Sequence, residues 1–273
     1  MDIEIITGEK LQQLADIYLG TPDDFAYNNL ISIQKLKHNN IGNLVDYVDN
    51  PKIIFCYSHR VKLLSQKIKF FKNPFVLLTH NSDENIRETP EIYKILNTPN
   101  LIKWYTQNLC MKHEKLHYLP IGLANSMWPG GNLQIFKTLD TNTLHIKTKQ
   151  IYFNFNINTN YNKRMACYNT FYSKIPFLNR ISPTENLIRL KEYAFCLCPE
   201  GNGMDTHRFW ECVYLKVVPI VINSTFIQHI KAYNIPMVIV NKWEDLFNSR
   251  LSYTNYDFNN IKIYVSDFIK MIK

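Results

Sequence analysis

The chain has 273 residues, 46% of them hydrophobic, with a formal charge of +8 and a pI near 9.0. That supply of apolar residues suits two modest cores or one large one, while no run of 18 apolar residues is present to span a membrane. The opening MDIEIITGEK has neither a charged n-region nor an apolar h-region, so an unprocessed, cytoplasmic α/β protein with anionic ligands is expected: nucleotide sugars, nucleic acid or a membrane surface.

In chain order, Leu11, Leu14, Ala15 and Tyr18 recur at helical spacing across Glu9 to Leu19, and the Asn-rich stretch from Thr21 to Asn50 gives no clear pattern. KIIFCYS (Lys52 to Ser58) reads as a strand followed by a helix to about Phe70, and PFVLLTHNSD (Pro74 to Asp83) as the next strand and its exit loop. His80, Asn81 and Asp83 follow the apolar run Val76, Leu77, Leu78, so they are expected at the C-terminal edge of that strand, where parallel sheets bind ligands. The alternative is a polar turn whose Ser82 or Asp83 merely caps the helix NIRETPEIYKIL.

Short strands are predicted around Leu101 to Tyr105 and Leu116 to Leu119. They are followed by a loop in which Trp128 stands beside Gly130 and Gly131, suited to stacking on the apolar face of a sugar or to plain loop packing. The polar run Lys137 to Lys149 reads as a linker, giving domains of 1–147 and 148–273. In the second half, strands are predicted near 151, 195, 218 and 237, with helices near Lys163 and from Pro183, and an amphipathic segment at the end. Arg164, just inside the first of those helices, lies where it can meet a diphosphate or remain a solvated charge.

FCLCPEGNGMDTHRFWECVYLKVVPIVI, Phe195 to Ile222, is the most informative stretch: strand, polar loop, helix, strand. Gly201, Asn202 and Gly203 suit a tight or left-handed turn, and Asp205 suits the N-cap of a helix running to about Leu215. His207 and Glu211 are four apart and Arg208 and Glu211 three apart, so imidazole, guanidinium and carboxylate share one face, with Glu200 and Thr206 nearby. A helix N-terminus beside a His and an Arg suits a phosphate; a capped surface helix with an Arg–Glu pair is the plainer alternative. The six cysteines read as reduced core residues. Cys196 and Cys198 face the same side of a strand, and none has zinc-ligand spacing, so no metal site is expected.

PEGNGMDTHRFWECVYL followed by VPIVI resembles the donor-binding segment of exostosin-like glycosyltransferases, family 47 of the sequence-based classification. The shared pattern is a Pro, a Gly-containing loop, an Arg inside a helix, Trp-Glu and a Pro-containing strand, and it covers roughly 30 residues strongly. The family usually has a Gly closing the helix where this chain has Lys216. The resemblance implies a GT-B fold of two Rossmann-like domains with a cleft between them. It also implies inverting transfer of a sugar from a nucleoside diphosphate, usually UDP, to a glycan or glycoconjugate hydroxyl.

Without any D-x-D sequence, the transfer is expected to need no metal clamp and no cofactor beyond the nucleotide-sugar substrate. Arg164, His207 and Arg208 would meet the diphosphate, Glu211 the ribose, and Gly201, Asn202, Gly203, Asp205 and Thr206 the rest of the donor, with Glu200 either meeting the donor sugar or ordering the GNG loop. Asp83 or His80 would be the base, and Asn81 and Trp128 would meet the acceptor. A GDP-sugar-using, fucosyltransferase-like enzyme is one alternative. A non-catalytic nucleotide-sugar or nucleic-acid binding module is another, although no nucleic-acid motif is present and no nucleic-acid partner is expected.

Overall fold

The computed structural model describes residues 4–26, 37–44, 51–139, 147–178, 181–259 and 261–272. The chain divides into two compact units. One comprises Ile6–Gly131 with Tyr264–Lys273, the other Asn132–Ile263 with Met1–Ile5. Part of the linker expected at Lys137 to Lys149, residues 140–146, lies outside the described residues.

The first unit runs α1 (Gly8–Gln13), β1 (Ile17–Gly20), α2 (Pro22–Ala26), β2 (His38–Asn40), β3 (Ile53–Tyr57), α3 (Val61–Lys67), β4 (Phe75–His80), α4 (Pro90–Leu96), β5 (Leu101–Thr106) and β6 (Leu116–Tyr118). Its six strands are all parallel, in the order β2-β1-β3-β4-β5-β6. Strands β3 and β4 are buried along their whole length, as expected of near-continuous apolar runs covered on both faces.

Two sequence expectations change here. The helical spacing over Glu9 to Leu19 yields a helix only to Gln13; Tyr18 and Leu19 become fully buried residues of β1, paired with β3. Pairing in the sheet interior overrides local periodicity. The helix after β4 begins at Pro90, with Thr89 Oγ1 accepting from the Ile92 amide, so Asp83 does not cap it.

The second unit runs α5 (Gln134–Thr138), β7 (Lys149–Tyr152), α6 (Tyr161–Phe171), α7 (Pro183–Leu190), β8 (Tyr193–Leu197), α8 (His207–Tyr214), β9 (Val218–Ile222), α9 (Thr225–Lys231) and β10 (Val238–Val240). These four strands are also parallel, in the order β10-β9-β8-β7. Alternation along β8 splits its side chains. Phe195 and Leu197 join a core with Phe153, Phe171, Ile220 and Trp243, while Cys196 and Cys198 turn to the other face, toward α8. Each such Phe contributes roughly 2–3 kcal/mol by leaving water, which makes this core the anchor of the loops above it.

The last helix, α10 (Val265–Ile272), belongs to the six-stranded unit. Phe268 and Ile272 are buried, and Tyr105 Oη donates to the Met271 carbonyl at 2.6 Å. Among the described residues no helix is long and apolar enough to cross a membrane.

Candidate functional site

The loop Pro199 to Thr206 leaves the C-terminal end of β8 and is held from below by the first turn of α6. Asn160 Nδ2 donates to the Gly201 carbonyl at 2.8 Å, and Arg164 Nε donates to the Glu200 carbonyl at 2.9 Å. Lys163 pairs with the Glu200 carboxylate. Arg164 Nη1 also donates to the Asn156 carbonyl at 2.7 Å, so the guanidinium's hydrogen bonds from Nε and Nη1 go to carbonyls. Burial, with the nearby charge of Arg208, pulls the Arg164 guanidinium down to about 10.

Gly201 is not in a left-handed conformation. A Cβ there would lie 3.2 Å from Arg164 Nη2, so the glycine serves a close approach between loop and guanidinium. Asn202 is exposed at the loop tip, and Gly203 returns a carbonyl to the Gly201 amide at 3.1 Å.

The loop closes onto α8, whose N-cap is Thr206: its Oγ1 accepts from the Phe209 amide at 3.4 Å. Asp205, expected as the cap, is buried and accepts from Trp210 Nε1 at 2.8 Å. A buried indole N–H needs an acceptor, and Asp205 supplies it. His207 opens the helix and is half-buried.

Arg208 turns inward. Its Nε donates to Glu211 Oε2 at 2.9 Å, Nη2 to Asn186 Oδ1 at 2.9 Å, and Nη1 to the Asn154 carbonyl. Burial alone would lower its pKa, but the Glu211 carboxylate and neighbouring thiols outweigh it and hold Arg208 firmly charged. Asn186 also accepts from Tyr152 Oη at 2.8 Å and donates to Glu211 at 3.5 Å. Arg208 and Glu211 therefore brace β7, α7 and α8 from within, where the plainer reading expected a surface pair.

At the end of α8, Lys216 has φ +53°. The Lys216 amide bonds the Val213 carbonyl at 3.1 Å and the Val217 amide bonds the Cys212 carbonyl at 2.8 Å, a Schellman closure built with lysine where glycine is usual.

Beside the loop lies a cavity of about 220 Å³ at the C-terminal ends of β8 and β9. Phe209, Val221, Phe226 and Trp243 give it an apolar lining, and Lys163, Glu200 and Thr206 supply polar groups. Trp243 and Phe226 went unnoticed in the sequence, since each sits in a segment that reads as ordinary apolar packing. Asn160 carried a signal, an Asn directly ahead of a helix; Asn186, inside α7, carried none.

The corresponding edge of the six-stranded sheet is filled with side chains. Asn81 has φ +57°, accepts from Asn125 Nδ2 at 3.2 Å, and donates to Gln12 at 2.9 Å from its side chain and to Gln107 Oε1 at 3.0 Å from its backbone amide. His80 is buried, with Nε2 3.0 Å from the Pro120 carbonyl and Nδ1 3.1 Å from Asn81 Oδ1. Glu9, also buried, accepts from the Ser126 amide and hydroxyl, both at 3.0 Å. A Cβ on Gly8 would fall 1.8 Å from Asn81 Oδ1, so α1 can sit over this edge only with glycine there. Asp83 is exposed beyond the network, and Trp128 is 55% exposed on its own loop.

One cluster escaped the sequence reading. The strand order reverses between β1 and β3, and the C-terminal ends of strands beside such a switch point are a habitual ligand position. There Asp24 accepts from Arg60 Nε at 2.9 Å, the Thr21 amide at 2.7 Å and His59 Nε2 at 2.7 Å. Burial pushes the Asp24 carboxyl up, but the Arg60, Thr21 and His59 hydrogen bonds outweigh it and hold it at about 2.

Two parallel sheets flanked by helices make this an α/β protein consistent with Rossmann-like domains. No protein-family model matches the chain, and no curated protein matches it.

Proposed function

We propose that the protein is an inverting glycosyltransferase of the GT-B type, binding its nucleoside diphosphate donor on the four-stranded unit and its acceptor on the six-stranded unit. The observation that carries this reading is the cavity beside the clamped loop at the C-terminal edge of a parallel sheet. Its apolar lining suits a flat nucleobase, Glu200 and Thr206 suit ribose hydroxyls, and the cations at the start of α6 with the N-terminus of α8 suit phosphates. Arg164 is the best of these cations, because it is desolvated beside Arg208 and donates from Nε and Nη1 to carbonyls, so an arriving anion would relieve its cost. Lys163 and His207 would assist. Arg208 acts beneath the site by holding α8, and the ribose role expected of Glu211 passes to Glu200.

The leaving diphosphate is stabilised by these cations and by the α8 N-terminus, and turnover is expected to be independent of added Mg²⁺ or Mn²⁺. Asp83 remains the assigned proton acceptor, since it is exposed while both ring nitrogens of His80 face protein oxygens. His59 is its rival, because Asp24 orients its imidazole at 2.7 Å.

The reading is tested by melting the protein with UDP, GDP and other nucleoside diphosphates. The preferred nucleotide, at 100 times its dissociation constant, adds about 2.7 kcal/mol to stability. The Trp243→Ala variant loses most of that gain. A panel in which no nucleoside diphosphate moves the melting temperature sinks the proposal. Asp83→Asn should keep nucleotide affinity and lose roughly 10²-fold in turnover; near-normal transfer would pass the base to His59.

A further inference from the structure

The sulfur atoms of Cys196, Cys198 and Cys212 lie within 4.8 Å of one another, buried between β8 and α8. The first two project from one face of the strand, and the third descends from the helix packed over it. Cys198 Sγ and Cys212 Sγ are 3.7 Å apart. A zinc-class ion with bonds of about 2.3 Å to each of three sulfurs requires them to be about 4 Å from one another, so only small shifts separate the observed spacing from coordination.

The donor set is all sulfur, which disfavours Mg²⁺ and Ca²⁺ and suits soft cations. Charge also fits. Three thiolates around a divalent ion carry one net negative charge, and Arg208, one turn before Cys212, interacts electrostatically with Cys196 and Cys212. An entry route exists as well, since Cys198 lines the 220 Å³ cavity.

We propose that Cys196, Cys198 and Cys212 form a binding site for one thiophilic divalent cation, of the zinc and cadmium class, bridging β8 to α8. On binding, three sulfur–metal bonds form, and every thiol still protonated beforehand releases its proton to solvent, with no change of oxidation state. The spacing C-x-C followed by a third cysteine fourteen residues on matches no zinc-finger pattern, because a strand and a helix bring the ligands together rather than two knuckles. The bound ion would fasten the helix whose first turn borders the clamped loop. This inference does not depend on the nature of the reaction.

The test uses Cd²⁺ alone as the probe, added to the reduced, full-length wild-type protein. The expected result is a sulfur-to-metal charge-transfer absorption that saturates at one ion per chain, with X-ray absorption counting three sulfur neighbours and Zn²⁺ competing for the site. Cys212→Ala should weaken Cd²⁺ binding by roughly 100-fold or more, while Cys110→Ser, outside the cluster, leaves it unchanged. The sulfur count on the wild type stands even if Cys212→Ala fails to fold. No saturable band, a coordination shell without sulfur, or loss of binding in Cys110→Ser would each overturn the assignment.

Discussion

The two sheets present their C-terminal edges in opposite ways. Over β4, side chains from α1, the Gln107 region and the Asn125 loop close on Asn81 and His80 until polar groups largely satisfy one another. Over β8 and β9, the polar groups are drawn down and sideways, Arg164 beneath the loop and Arg208 into the helix layer, leaving a cavity with an aromatic lining beside them. Polar residues at a strand's end are therefore poor guides to a ligand by themselves. What distinguishes the two edges is whether the side chains have consumed one another's hydrogen-bonding capacity.

The strongest way to break the open edge is from below. Arg208→Ala leaves Glu211, Asn186 and the Asn154 carbonyl without their shared donor, and it should cost about 3 kcal/mol in chemical denaturation. Nucleotide affinity would then fall together with stability, whereas Lys163→Ala, with its side chain more than half exposed, should weaken affinity alone. The filled edge breaks at Gly8. A methyl group there meets Asn81 Oδ1, so Gly8→Ala should cost about 2 kcal/mol by the same measurement while the preferred nucleotide binds normally.

The next effect is sharpened by pH. Asp24 has its pKa lowered from 3.8 to about 2, so its contribution is complete above pH 3.8 and is lost as the pH falls toward 2. With solvent screening allowed for, it is worth on the order of 1 kcal/mol. Asp24→Asn should thus be less stable than wild type at neutral pH, with the two denaturation curves converging near pH 2. The smallest effect concerns the end of α8, where Lys216→Gly removes the strain of a side chain at φ +53° and should stabilise by about 0.5–1 kcal/mol.

The sequence made the strands near 53, 76, 101, 116, 151, 195, 218 and 238 legible, because each is a short apolar run bounded by turn residues. It also made the unit from β8 to β9 legible as a whole, down to the polar loop between them. What it could not reveal were partners distant along the chain. Arg208 meets Asn154, 54 residues earlier, and Glu9 meets Ser126, 117 residues later. Asp205 and Thr206 are both good caps, and only the burial of Trp210 determines which one is free for the task. Trp243 reaches the cavity from the short helical turn after β10, which no local pattern ties to β8.

The placement of α10 bears on the order in which the chain acquires its structure. The six-stranded unit takes its buried Phe268 and the Tyr105 bond to Met271 from a segment far downstream of its sheet, whereas Asn132–Ile263, which carries the whole four-stranded sheet, is continuous. The four-stranded sheet can therefore close its core without α10, while the six-stranded unit is incomplete until α10 docks, reversing the usual N-terminal-first sequence. A released chain truncated after Ile263 should show a protease-resistant second unit and a first unit still open to cleavage.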